Sequence, residues 1–577
     1  MSLPAQTAYP GVLTNAWHRE MQALAAKNTV TRFWEQDASL WPAEEHQRAV
    51  IESNLGWLNL PEQIEPYIVQ VVERAVAAQR EGWDSLVFIA ISSSNLAGAA
   101  VLHLPEANVG KQTYLLDSTD PDTLRDLESK LSFERTLFVV TNKSGKRIET
   151  HALLLYFLDR LRAVGVASPG EHFVALTEEG SYLATLARTY KFRDIFFDPP
   201  GICGRYSGLI HFSLLVTAIC RVNRTQLMET IAAMKDACGP FVRMEENPAI
   251  VLASFLAAGE REGLNRLILL TGEELSYFAY RIAQLVGTST SRNGRGLVPI
   301  FTQSSYALDI LERKCLVVIL TLRGQAKDQP DPSLQLRERG IPVLRIELES
   351  PMDFAAEIFK WEMATALACA ALGVNCFQDD GQGDLGVAAA RLESLVEKRE
   401  SLLPAARIKE GGLFLYVVGR TRRLISGLSL RAAVQDFLEL RNSDGYIAIC
   451  PFFELTPGYL EVLRALQHRM RKILGMPIEV LAGPRYLYAL GKTYKKDPGN
   501  GVFLILTAEP REDVAIPGAG YTFGELQLAL GLAECDALEG HQKRTIRLHL
   551  SQGAENGLKQ FSDIVIQALA RIPGDAG

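Results

Sequence analysis

The sequence predicts an α/β protein built from doubly wound parallel sheets, and three observations carry that expectation. Short buried apolar runs alternate with stretches of helical spacing along most of the chain, the pattern of parallel strands covered by helices. Two of those runs break into polar turns and then into helix starts: LVFIAISSSNL at 86–96 and VVTNKSGKRIET at 139–150. From about Pro240 the alternation begins again, so the plan is used twice before a third α/β unit closes the chain.

Taken in order, residues 1–28 are expected as an N-terminal tail. Between Asn28 and Trp83 the apolar spacing is helical, as in Tyr67, Ile68, Val71, Val72, Ala75 and Val76, which gives a helical lead-in. The next strands are LVFIAI, KQTYLL, TLFVVT, HFVALT and DIFFD, each bounded by turn or polar residues. Among them, 148–164 gathers Leu153, Leu154, Phe157, Leu158 and Leu161 on one face, as a crossover helix packed on a sheet requires. These elements make a first domain over 29–238. A second domain, 239–401, takes its strands from NRLILLT, LVPIF, CLVVILTL and PVLRIEL, with an apolar helix at 352–372 expected to pack between the two sheets. Composition turns flexible at GQGDLG, 381–386, before a charged helix resumes at 388–401. Strands LFLYVV, YIAICPF, GVFLILT and TIRLHL, with helices at 459–474 and 523–536, make the third unit, 402–577.

At 577 residues, 47% hydrophobic and 22% charged, the chain has the composition of a globular protein. Its length suffices for about three or four cores. A net charge of -7 and a pI of 5.9 offer no general attraction to nucleic acid or an anionic membrane. An anionic ligand therefore has to be drawn by a local positive pocket, and is expected to be small. The 8 cysteines, never in CxxC spacing and mostly set in apolar runs such as LVTAIC and TALACA, read as reduced core residues. The first residues lack a basic start followed by an apolar stretch, and no apolar run approaches the ~20 residues that span a bilayer. A cytoplasmic location without membrane contact is the expectation. The 9 histidines are dispersed without ligand spacing, so neither a metal nor a cofactor is expected.

The two strand-to-turn breaks carry the candidate binding residues. At the second, Lys143, Ser144, Lys146 and Arg147 bring cations and backbone N–H groups to one turn, as an oxyanion site requires. The same residues also suit a solvated basic helix start. At the first, Ser92, Ser93 and Ser94 offer hydroxyl donors, or a serine-rich helix cap. Side by side in one parallel sheet, the two strand ends would form a single polar pocket at the carboxyl edge, with the chemistry of a phosphate site.

Together with GRYSGLIHFSLL at 204–215 and QLVGTSTSRNGRG at 284–296, these segments resemble the sugar isomerase (SIS) domains of glucose-6-phosphate isomerases. FWEQDASLW at 33–41, LGWL at 55–58 and YTFGELQLALGL at 521–532 are most similar to the isomerase half of bifunctional transaldolase/glucose-6-phosphate isomerase proteins. The resemblance covers roughly residues 30–552, without a transaldolase half. It implies two flavodoxin-like SIS domains plus the C-terminal α/β unit, and a sugar phosphate or similar anion as ligand. It further implies a homodimer, or a pentose-phosphate or glycolytic enzyme as partner.

The resemblance also implies site residues, and there the sequence departs from the family. The family's glycine-rich GMGGSS loop stands here as Ala90-Ile91-Ser92-Ser93-Ser94-Asn95, which narrows the cradle. Its SKSGTTIET loop is matched at Lys143, Ser144, Gly145, Glu149 and Thr150, with Lys146 and Arg147 replacing two threonines, so positive charge has risen. Arg205, in the retained GRYS, matches the arginine that lies near the substrate oxygens and stabilises an enediolate, or else serves an internal ion pair. Cys203 and His211 nearby are unusual for the pattern, and His211 reads as a packed core residue.

An aldose–ketose isomerase needs a general base to move a proton between C1 and C2. Thr288 occupies the family's glutamate position, and a threonine hydroxyl cannot accept a proton near neutral pH. The family's two histidines in the ring-opening segment stand as Tyr488 and Tyr494, and its lysine near the sugar ring falls on Gly386. The expectation is a family member that binds a sugar phosphate with isomerisation lost or strongly reduced, a pseudoenzyme. The alternative is an active isomerase with relocated groups, for which Glu273, Glu274 and Lys492 are candidates.

Overall fold

The computed structural model describes residues 3–59, 73, 82–91, 96–102, 112–143, 147–199, 201–202, 204–209, 223–292, 294–302, 314–323, 331–350, 353–378, 383–398, 402–442, 445–497 and 501–572. The chain divides into two compact units. The first contains Met1–Leu115, Arg135–Gly145 and Gly170–Asp379; the second contains Leu116–Glu134, Lys146–Pro169 and Asp380–Gly577.

Runs rich in Val, Ile, Leu and Phe form the strands of the first unit because such side chains fill both faces of a buried parallel sheet. One sheet runs in space Gln112–Leu116, Ser85–Ile89, Thr136–Thr141, Phe173–Thr177, Asp194–Phe197. Ser85–Ile89 and Thr136–Thr141 are parallel, with Ile89 opposite Val140. The ends of the two strands that precede the segments singled out in the sequence therefore lie side by side at the same edge. Counted along the chain, the order is that of the flavodoxin-like doubly wound sheet, whose crevice lies between the first and third strands.

A second sheet repeats that order with Val298–Thr302, Arg266–Thr271, Cys315–Leu322 and Val343–Leu348. Ala5–Tyr9 then adds an antiparallel edge strand against Val343–Leu348. The first 28 residues, expected as a tail, thus hold a strand and the helix Thr14–Ala26. Of the helical lead-in, Thr29–Trp34 and Glu45–Ser53 are helices, and most of 60–81 lies outside the described residues.

The helix Asp353–Leu372 is buried on nearly all sides and packs against the helices Pro248–Arg261, Arg224–Ala237 and Ser276–Thr290. An aromatic cluster ties the FWEQDASLW and LGWL segments to the GRYS turn: Trp57 stacks on Tyr206 with ring centroids 5.3 Å apart, and Trp41 meets Phe377 edge-on at 4.9 Å. The Trp41 indole donates to the Ala366 carbonyl at 3.0 Å, which satisfies its one polar atom inside the core.

The second unit has a six-stranded sheet ordered Ile408–Glu410, Leu413–Val417, Arg544–Leu550, Gly501–Ala508, Tyr446–Phe452, Ile478–Val480. Its last four strands are parallel and the first two antiparallel. A capping box of Thr522 and Glu525 starts the helix Phe523–Gly540. The GQGDLG segment corrects an expectation: helix already runs from Gly383 to Lys398. The Ala- and Leu-rich sequence after it favours helix strongly enough to carry the two glycines in its first turn. Among the described residues, no helix is long and apolar enough to cross a membrane.

Candidate functional site

Arg205 sits in the short 3-10 turn Gly204–Tyr206 of the first unit and is spent on backbone carbonyls. Its Nη1 donates to Cys376 O at 2.6 Å and more weakly to Thr288 O at 3.5 Å, and its Nη2 donates to Gln378 O at 2.5 Å. The guanidinium thereby joins the C-terminal end of the helix Ser276–Thr290 to the 375–378 segment. Arg292 adds a second bond to the Gln378 carbonyl at 3.0 Å.

The backbone of Arg205 is held from behind. Arg281 Nη2 donates to the Arg205 carbonyl and to Glu362 Oε1, both at 2.6 Å, while Arg281 Nη1 donates to Gln284 Oε1 at 2.6 Å. Glu362 Oε1 also accepts from Gly208 N at 3.0 Å. Arg281 and Glu362 are fully buried. Burial drives the Glu362 carboxyl up to about 7, against the lowering pull of Arg281 and the Gly208 N–H. Sequence reasoning missed this network. Its signal was the presence of Glu357, Lys360 and Glu362 within the otherwise apolar 352–372 run, because charges in a buried helix have to be paired.

Thr288 is buried near the end of its helix, and its hydroxyl donates to the Gln284 carbonyl one turn back at 2.6 Å. Glu273 and Glu274 precede the opposite end of that helix, in the 3-10 turn Glu273–Leu275. At a rise of 1.5 Å per residue they lie roughly 20 Å from Thr288, so neither replaces a base there.

Lys143 follows the strand Thr136–Thr141. Its ammonium pairs with Glu178 at 3.2 Å and donates to the Ile202 carbonyl. Among the described residues, these contacts engage two of its three donors. The turn itself is braced, since Thr177 Oγ1 donates to Asn142 O at 2.7 Å and Glu178 N to Lys143 O at 3.3 Å. Ser92, Ser93, Ser94, Ser144 and Lys146 lie outside the described residues, as do Cys203 and His211.

In the second unit, Arg147 caps the helix Ile148–Ala163 and is half-buried, its guanidinium brought down to about 10 by burial while Glu149 pulls the other way. Glu149 is wholly buried, and neither carboxylate oxygen meets a hydrogen-bond partner beyond its own residue among those described. Burial raises its pKa, with Arg147 opposing. Tyr494 is core: its ring lies 5.0 Å from Tyr446 and 6.3 Å from Tyr486 and Phe503. The side chain of Tyr488 lies outside the described residues. Gly386 falls in the helix Gly383–Lys398, and Lys492 in the short helix Gly491–Lys496. Among the described residues, no group of three or more His, Cys, Asp or Glu is placed to hold a metal ion.

No family model matches the chain. It is 30% identical over 261 residues to the glucose-6-phosphate isomerase of Carboxydothermus hydrogenoformans, a match covering 42% of this chain and 55% of that protein. With the glucose-6-phosphate isomerase of Leptospira biflexa it shares 26% identity over 386 residues, 57% of this chain and 84% of the relative. The chain spans about half the length of the first of these relatives. In fold it resembles a hypothetical protein from Thermus thermophilus, at 19% identity and a TM-score of 0.57, over 67% of this chain and 99% of the other.

Proposed function

We propose that the chain, similar over part of its length to glucose-6-phosphate isomerases, is a member of that family that binds a sugar phosphate without efficient aldose–ketose isomerisation. The binding residues are Ser92, Ser93, Ser94, Lys143, Ser144, Lys146 and Arg147, with Arg205 shaping the neighbouring 375–378 segment. The observation that carries the loss of catalysis is the Thr288 hydroxyl, which replaces the family's base and donates to a carbonyl of its own helix. Loss of a general base alone lowers a rate by about 10²- to 10⁴-fold.

The test pairs a binding isotherm for fructose 6-phosphate with its conversion to glucose 6-phosphate, using Arg205→Ala to expose contaminating isomerase. Saturable binding without turnover is the expected result. Turnover that disappears in Arg205→Ala overturns it. One observation favours that second outcome, an active isomerase with relocated groups: Glu149 is a buried carboxyl with a raised pKa and no hydrogen-bond partner outside its own residue among those described, the character of a general base. In that case Glu149→Gln would abolish turnover and leave binding in place.

A further inference from the structure

Lys143 already rests on an anion of the chain's own. The strand Phe173–Thr177 lies parallel to Thr136–Thr141 with Leu176 opposite Thr141, and that register carries Glu178 and Lys143 to the same level just past the carboxyl edge. The Glu178 carboxylate there meets the Lys143 ammonium at 3.2 Å. The same ammonium donates to the Ile202 carbonyl, in the segment that leads to Arg205.

Backbone and hydroxyl bonds hold the two turns in place independently of this ion pair. Glu178 N donates to Lys143 O at 3.3 Å, Ser181 N donates to Glu178 O at 3.2 Å, and the hydroxyls of Thr177 and Ser181 meet at 2.7 Å. The carboxylate itself faces water: 48% of the Glu178 side chain is exposed, against 18% for Lys143. A pair with one partner so exposed is weak, because water solvates the carboxylate nearly as well as the ammonium does. It can therefore be displaced.

We propose that Glu178 is an internal competitor for the ligand's phosphate, a residue that sets the affinity of the Lys143 edge for anions. This rests on the sugar-phosphate reading given above. In the ligand-free chain the carboxylate neutralises Lys143. An arriving phosphate takes over the ammonium because it carries more charge and more acceptor oxygens than a carboxylate, and Glu178 turns into solvent while its backbone bonds remain. A singly charged carboxylate offers Lys143 nothing that Glu178 does not already provide, so the exchange favours phosphate esters over carboxylic acids.

Isothermal titration of the full chain with fructose 6-phosphate tests this. Glu178→Gln keeps the backbone bonds and should tighten binding about five-fold, the worth of a partly exposed ion pair. Glu179→Gln removes the same charge from the next, exposed residue and should change binding by less than about two-fold. In a Lys143→Met background, Glu178→Gln should bring no gain. A gain below about two-fold from Glu178→Gln in the native background overturns the proposal. So does an equal gain from Glu179→Gln, or one that survives Lys143→Met, since either would come from the general field of the turn. Should the glutamine variant fold poorly, Glu178→Asp, a methylene short of Lys143, should tighten binding in the same direction, and unchanged or weaker binding there counts against the proposal equally. No binding by either the wild type or Glu178→Gln overturns the sugar-phosphate reading and this inference together; wild-type binding that Glu178→Gln leaves unchanged overturns the inference alone.

Discussion

The two five-stranded sheets of the first unit share the order of four strands, with an antiparallel N-terminal strand at the edge of the second, and differ in the charge that leaves their carboxyl edges. In the first sheet, the third strand in chain order runs into Lys143. At the corresponding place the second sheet has Arg323, already paired with Glu349, and its first strand runs into Glu273 and Glu274. The scaffold recurs while the charge at the two edges differs. Around the second sheet, cations serve internal bonds, as with Arg281 to Glu362. At the first, Lys143 is likewise paired, with Glu178.

Removing an internal cation should produce the largest effect. Arg281→Met leaves Glu362 buried without its partner and frees the Arg205 carbonyl, and should destabilise the first unit by about 3–5 kcal/mol. Urea unfolding followed through the tryptophans of the aromatic cluster measures it. A loss below about 1 kcal/mol would mean that the pair is not buried as a unit.

Next comes the cation at the first edge. Lys143→Met should weaken phosphate or fructose 6-phosphate binding about 10- to 100-fold, the worth of a charge-assisted hydrogen bond, with a much smaller change in the urea midpoint. Glu273→Gln and Glu274→Gln, at the second edge, should leave affinity unchanged. Equal effects at both edges in isothermal titration would erase the contrast.

The third effect is a pH dependence. Glu362 holds its proton more tightly folded than unfolded, because its carboxyl is raised from 4.5 to about 7. The native state therefore binds more protons through that window, and stability should fall as pH climbs from about 4.5 to about 7, then level off. Glu362→Gln should flatten that slope in urea midpoints measured across the same range; an unchanged slope would assign it to another group.

Much of the fold was legible in the sequence because its cause is local. TLFVVT, CLVVILTL and YIAICPF become strands with the bounds the apolar runs suggest, since a fully buried parallel strand writes its burial into consecutive residues. The N-terminal strand Ala5–Tyr9 was not legible, because AQTAY is partly exposed and is fixed by pairing with Val343–Leu348 more than three hundred residues away. The candidate site shows the same division. Lys143 and Arg205 stood out by motif, whereas their partners Glu178, Ile202, Cys376 and Gln378 are set by tertiary packing and leave no spacing to read.

Thr288 gives the smallest expected effect and the sharpest test of the proposed loss of a base. Its hydroxyl donates to Gln284 O, a carbonyl that the helix ladder already engages, so deleting the donor leaves no orphaned acceptor. Thr288→Val keeps the branched shape and should change stability by no more than about 1 kcal/mol, with phosphate affinity unaltered. Serving its own helix, the hydroxyl has no part in a ligand. A tenfold loss of fructose 6-phosphate binding or turnover at unchanged stability would show instead that the side chain turns toward the substrate.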